Sequence, residues 1–165
     1  MCQIAPGRVD VVYQQRLEQL TDQSSPLDFT EHIKLTKDIW QKIQSDFKGS
    51  AYRVGFVTRR IALESTAQNW LRTSFLKDHH FDLARELQIH ALHKHELASY
   101  HVNRWVRLKA TPAPEGVDAE SILQLEVDIN TLPEMHLDLS AKDVDVFSQK
   151  ALQLTKETAQ QFLPQ

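Results

Sequence analysis

An α+β fold is what this sequence predicts, and three observations carry it. Segments with a two-residue apolar period are interleaved with segments of helical period, two S/D-x-x-D/E capping spacings each precede a long amphipathic run, and apolar residues make up 41% of only 165 residues, enough for one ordinary core. The expectation is one domain over 1–165, with an antiparallel sheet of about five strands and two long helices packed on one sheet face. The expected order is β-α-β-α-β-β-β-α.

Each element has its own reason. RVDVVYQ, residues 8 to 14, is rich in β-branched residues, with Val9, Val11 and Tyr13 on one side, and follows the turn-like Pro6-Gly7. Asp28 and Glu31 have capping-box spacing, and Ile39, Ile43 and Phe47 recur every four residues beside Leu35 and Trp40, predicting a helix over 29–47 that stops near Gly49. AYRVGFVTRRIAL, 51 to 63, sets Tyr52, Val54 and Phe56 against Arg53, Gly55 and Val57, the period of a strand. TAQNWLRTSFL reads as a short helix.

Next come ELQIHALHKHEL and HVNRWVRLKA, a strand pair turning at Ala98-Ser99, the exposed loop TPAPEGVDAE, and SILQLEVDI. In the last of these Leu123, Leu125, Val127 and Ile129 point inward and Gln124, Glu126 and Asp128 outward. Ser140 with Asp143 caps a closing helix that carries Val144, Phe147, Ala151, Leu154 and Phe162 on one stripe and ends before Pro164.

Composition excludes several classes. A net charge of -3 gives no global attraction to nucleic acid or anionic lipid. Cys2 stands alone, so no internal disulfide and no all-cysteine metal site can form. MCQIAPGRVD lacks the apolar core of a signal peptide, position 2 is not glycine, and no run reaches the ~18 apolar residues of a membrane span. A cytoplasmic chain without a membrane partner is expected.

Four of the eight histidines fall within IHALHKHELASYH, residues 89 to 101. A hairpin turning at Ala98-Ser99 pairs Leu87 with Ala110, Ile89 with Leu108, Ala91 with Val106, His93 with Arg104 and His95 with Val102 on one face. The other face pairs Gln88 with Lys109, His90 with Arg107, Leu92 with Trp105, Lys94 with Asn103 and Glu96 with His101. The cluster is thereby split. Only His93 and His95 converge, zinc wants three or four ligands, and Arg104 opposes a cation. Partly buried, hydrogen-bonded histidines are the preferred reading, and no cofactor is expected. DHHFD, with Asp78, His79 and His80, has metal-ligand residue types but reads as a polar loop. HEL at 95 to 97 fails as a zincin because Ser99 stands where H-E-x-x-H needs its second histidine.

Phosphate-binding, dinucleotide, nucleophile-elbow and C-x-x-C motifs are absent from the sequence. Glu126 and Asp128 share a face but read as solvated. What stands out is arginine on strands: Arg8, Arg53, Arg59, Arg60, Arg104 and Arg107, with Trp105 among them. Arginine and tryptophan on a sheet suit a protein interface or a nucleic-acid stacking surface. The plainer account is an outer face whose charges pair with Glu126, Asp128 and Asp10.

The motifs APGRVDVV, YRVGFVTRRIAL, LQLEVDI and DVFSQKALQLTKETAQQF, in this order, resemble a sporadically distributed bacterial family of unknown function. The resemblance covers most of residues 4 to 162. It implies the fold and no catalytic residue, and it implies further strands ahead of the R-[IV]-D strand; the expectation here is that these are missing, which would leave a sheet edge for a second copy or another protein to cover.

The leading functional expectation is a non-catalytic protein-interaction module acting on a protein partner or on itself, through Arg53, Arg59, Arg104, Trp105 and Arg107. The alternative is a metal-dependent hydrolase or metal-binding protein using His93 and His95 with Asp78, His79 or His80. Single-stranded nucleic acid ranks last because of the acidic balance.

Overall fold

In a computed structural model, nine elements follow one another among the described residues: β1 (Cys2–Ala5), β2 (Arg8–Val11), α1 (Thr30–Phe47), β3 (Gly55–Leu63), α2 (Ala67–Phe75), β4 (Leu87–Leu97), β5 (Tyr100–Pro112), β6 (Ser121–Thr131) and α3 (Ala141–Phe162). The structure describes residues 2–5, 8–12, 29–47, 51, 53–63, 66–76, 86–113, 115–116, 119–132 and 139–162. The fold is α+β with an antiparallel sheet, and the predicted order of elements is met. The chain divides into two compact units, residues 1–51 with 136–149 and residues 52–135 with 150–165.

In the first unit, β1 and β2 form a separate antiparallel ribbon that pairs Cys2 with Val11 and Ala5 with Arg8. The R-V-D strand therefore finds its partner in the four residues at 2–5, a segment too short to announce itself by periodicity. α1 begins where Ile33 donates its backbone N–H to Phe29 O at 2.9 Å. Ile33 is buried and Trp40 half-buried, whereas Leu35 is 47% exposed. At about 100° per residue Leu35 lies roughly 200° around the helix from Ile33, so the buried stripe passes it by. Trp40 Nε1 donates to Leu139 O at 2.7 Å, and Gln44 Nε2 donates to the same carbonyl. Just beyond, Ser140 and Asp143 close the predicted capping box: Ser140 N–H donates to Asp143 Oδ2 at 2.9 Å, and Asp143 N–H donates to Ser140 Oγ at 3.2 Å. Asp28, the expected cap of α1, lies outside the described residues.

The second unit holds a four-stranded antiparallel sheet in the order β3-β6-β5-β4. The hairpin register is the one deduced from the pattern, Leu87 opposite Ala110 through Leu97 opposite Tyr100. Ala98 (φ 51°) and Ser99 (φ 68°) form its two-residue turn. One face is the core: Leu123, Leu125, Val127 and Ile129 of β6 are each at most 1% exposed, beside buried Val102, Val106, Leu108 and Ala110 of β5. Within this unit the Lys150–Phe162 part of α3 reaches that inner face, because Arg104 Nη1 donates to Thr158 Oγ1 at 3.2 Å. α2 is tied to β6 by Ala67 N–H donating to Ser121 Oγ at 3.2 Å, and Phe75 stacks on Phe162 at 6.0 Å between ring centroids.

Candidate interaction surface

The outer face of the sheet is built by strand alternation: every residue between two core positions points away from the core. Two adjacent cross-strand rows define it. One runs Arg59, Glu126, Arg107, His90 and the next Val57, Asp128, Trp105, Leu92, in each case across β3, β6, β5 and β4.

The first row is an ionic clamp. Glu126 accepts from Arg59 Nε on one oxygen and from Arg107 Nη1 on the other. Burial pushes the Glu126 carboxyl up, but the hydrogen bonds and charges of the two arginines outweigh it and hold the group below its ordinary value. Arg107 also reaches Asp128 at 3.6 Å and lies over the Trp105 ring with its guanidinium carbon 5.3 Å from the centroid. Asp128 in turn accepts from Asn130 Nδ2 at 2.7 Å. These contacts hold Arg107 against the ring and the carboxylates together.

The second row is apolar at both ends. Val57 is 55% and Leu92 45% exposed, with Trp105 half-buried between them in the row. Isolated exposed aliphatics are ordinary, but two of them in register with a tryptophan make a patch. Sequence reasoning singled out Trp105 and its arginines and missed Val57 and Leu92. The signal was present, since alternation already set Val57 with Arg53 and Gly55, and the hairpin already set Leu92 opposite Trp105.

Of the five residues expected on this surface, Arg59, Trp105 and Arg107 are brought together. Arg104 is not among them. It points to the inner face, 8% exposed, bonded to Thr158, and its Nε has no partner. The expectation grouped it with Arg107 although the pairing of His93 with Arg104 already assigned it to the core side. Arg53 is exposed and precedes β3, outside both rows. Arg8 falls on β2 of the other unit, and Arg60, opposite Leu125, belongs to the inner face.

His93 and His95 share the core side of β4, with ring centroids 6.2 Å apart, while His90 and His101 leave on the outer side. His95 Nε2 is buried without a hydrogen-bond partner, and burial, then the charges of Arg104 and His93, push its pKa below the ordinary histidine value. Among the described residues no group of three or more His, Cys, Asp and Glu could hold a metal ion. Asp78, His79 and His80 lie outside those residues. An open depression of about 250 Å³ at the hairpin end is lined by Lys94, His95, Glu96, His101, Val102 and Leu132. It is below the usual size of a small-molecule site.

No protein-family model matches the chain, and neither a curated protein nor a solved structure does. Among the described residues no helix is long and apolar enough to cross a membrane.

Proposed function

We propose that this chain is a non-catalytic, cytoplasmic bacterial interaction module that receives a protein partner on the outer face of its sheet. The observation that supports this most is the Val57–Trp105–Leu92 row lying beside the Arg59–Glu126–Arg107 clamp. A tryptophan flanked by aliphatics supplies area to bury, and arginines held by a carboxylate give directional donors at the rim. Because the clamp is already formed, less side-chain entropy is lost when a partner arrives.

Site-specific photo-crosslinking in cells tests it. A photoreactive residue placed at Val57 or Leu92 should give a discrete protein adduct that Trp105→Ala diminishes, while the same probe at the exposed Gln149 of α3 gives none. Equal, diffuse labelling at all three positions would remove the basis for this reading.

A further inference from the structure

The two edges of the sheet are not equivalent. β3 and β4 are its outer strands, and among the described residues neither has another strand beside it. β3 carries Arg59 and Arg60 at its middle, one on each face. Antiparallel pairing of β3 with its own copy about that middle would set cation against cation, which is how natural sheets blunt an edge. β4 has no such guard. It runs eleven residues, LQIHALHKHEL, without proline or glycine and with one lysine. Its central residues Leu92, His93 and Lys94 are all exposed, whichever face they point to.

Register follows from the turn. A two-residue turn is closed by a hydrogen-bonded pair, here Leu97 with Tyr100. Counting back by two, His95, His93, Ala91 and Ile89 spend their backbone groups on β5. The N–H and C=O groups of His90, Leu92, Lys94 and Glu96 therefore face the open edge.

We infer that two copies of this chain pair antiparallel along β4, about a two-fold axis at His93. In that register His93 meets the partner's His93, Leu92 meets the partner's Lys94 and His90 meets the partner's Glu96. On the inner side Ile89 meets the partner's Leu97. The neighbouring registers are worse. An axis at Leu92 sets His90 against the partner's Lys94, and an axis at Lys94 sets the two lysines against each other. Only the His93 axis gives each Glu96 carboxylate an imidazole N–H to accept from, and it does so twice because the contact is isologous. The product is a continuous eight-stranded sheet whose two outer faces lie side by side. This edge contact goes beyond the outer-face reading and stands or falls separately from it.

Sedimentation velocity of the full chain at neutral pH and micromolar concentration tests the pairing. A dimer is expected. Glu96→Lys should raise its dissociation constant about tenfold or more, since at two symmetric places the carboxylate that accepts from the imidazole N–H is replaced by an ammonium that cannot accept. The double variant His90→Glu with Glu96→Lys should restore the dimer, a rescue that only this register provides. Leu92→Pro removes an N–H aimed at the open edge and should give a monomer with an unchanged circular dichroism spectrum. A monomeric wild type overturns the inference. So does a dimer that withstands Glu96→Lys, and if Trp105→Ala dissolved that dimer the contact would instead lie on the outer face.

Discussion

Ala98 and Ser99 join β4 to β5 with φ of 51° and 68°, and neither is glycine. The left-handed region costs a side-chain-bearing residue about 1–2 kcal/mol, a penalty that asparagine partly escapes and glycine lacks. Both positive angles belong to the type of two-residue turn that matches the twist of a hairpin, for which Asn-Gly is the preferred pair. Replacing Ala98→Asn and Ser99→Gly together relieves two such penalties, while the new glycine adds unfolded-state freedom worth about 0.4–1 kcal/mol against folding. The net expectation is a gain of about 1–2 kcal/mol, or about 3–6 °C in Tm for a chain of this length. Thermal and urea unfolding followed by circular dichroism measure it, and Ala98→Val, which forces a β-branched residue into the same conformation, should move the midpoint the other way. An unchanged or lower midpoint in the Asn-Gly variant would refute the argument that this turn stores strain. The turn matters for the surface, because the same register that it closes sets Trp105 opposite Leu92 and Arg107 opposite His90.

Other perturbations separate the two sheet faces. Leu125→Ala, in the core and 1% exposed, should cost about 2–5 kcal/mol in urea unfolding, whereas Val57→Ala, more than half exposed, should cost less than about 1 kcal/mol. Glu126 has a folded pKa held below its ordinary value, so its contribution is present above the unfolded carboxylate range and fades as pH falls through the folded value. Glu126→Gln should accordingly flatten the acid limb of the stability profile, and an unchanged limb would mean that the clamp contributes nothing. His95 is held below its ordinary 6.5, so the folded state binds fewer protons; stability is full above that value and falls as pH drops toward the folded pKa. His95→Gln should remove that part of the slope between neutrality and mild acid. Arg104→Met should be neutral or stabilising, since a buried cation with an unpartnered Nε gives way to an aliphatic chain of similar length.

Much of the fold was legible because its signals are local. The alternation of SILQLEVDI sets the inner and outer faces of β6, and Ser140 with Asp143 caps α3 through bonds spanning three residues. The hairpin register was legible because one face of β4 and β5 stays apolar in a single alignment. β1 and its pairing with the predicted strand β2 were not, since four residues such as CQIA carry no measurable period. Leu35 was misplaced because its spacing of four from Ile39 sets it on the predicted stripe, whereas α1 buries the side marked by Ile33, from which Leu35 is turned well away. At the site, the clamp needed the order of strands. That Glu126 sits between Arg59 and Arg107 follows from β6 lying between β3 and β5, a long-range pairing that no single segment encodes.

The distribution of unpartnered polar atoms differs between the two faces of the sheet. Among the described residues, the buried side-chain atoms without a hydrogen-bond partner are Thr58 Oγ1, Arg60 Nε, His95 Nε2 and Arg104 Nε. All four residues occupy inner-face positions, opposite Val127, Leu125, Val102 and His93 in turn. A buried polar atom without a partner is less favourable than a satisfied one, so these four positions stabilise the inner face less than apolar side chains would. The outer face shows the reverse: Arg59 and Arg107 are bonded to one carboxylate, and Trp105 is covered by a guanidinium. Its polar groups are arranged before any partner is present, while Val57 and Leu92 remain open to solvent. A face whose charges are fixed and whose aliphatics are exposed loses little entropy on contact and gains burial, which is the balance that the proposed interaction would need.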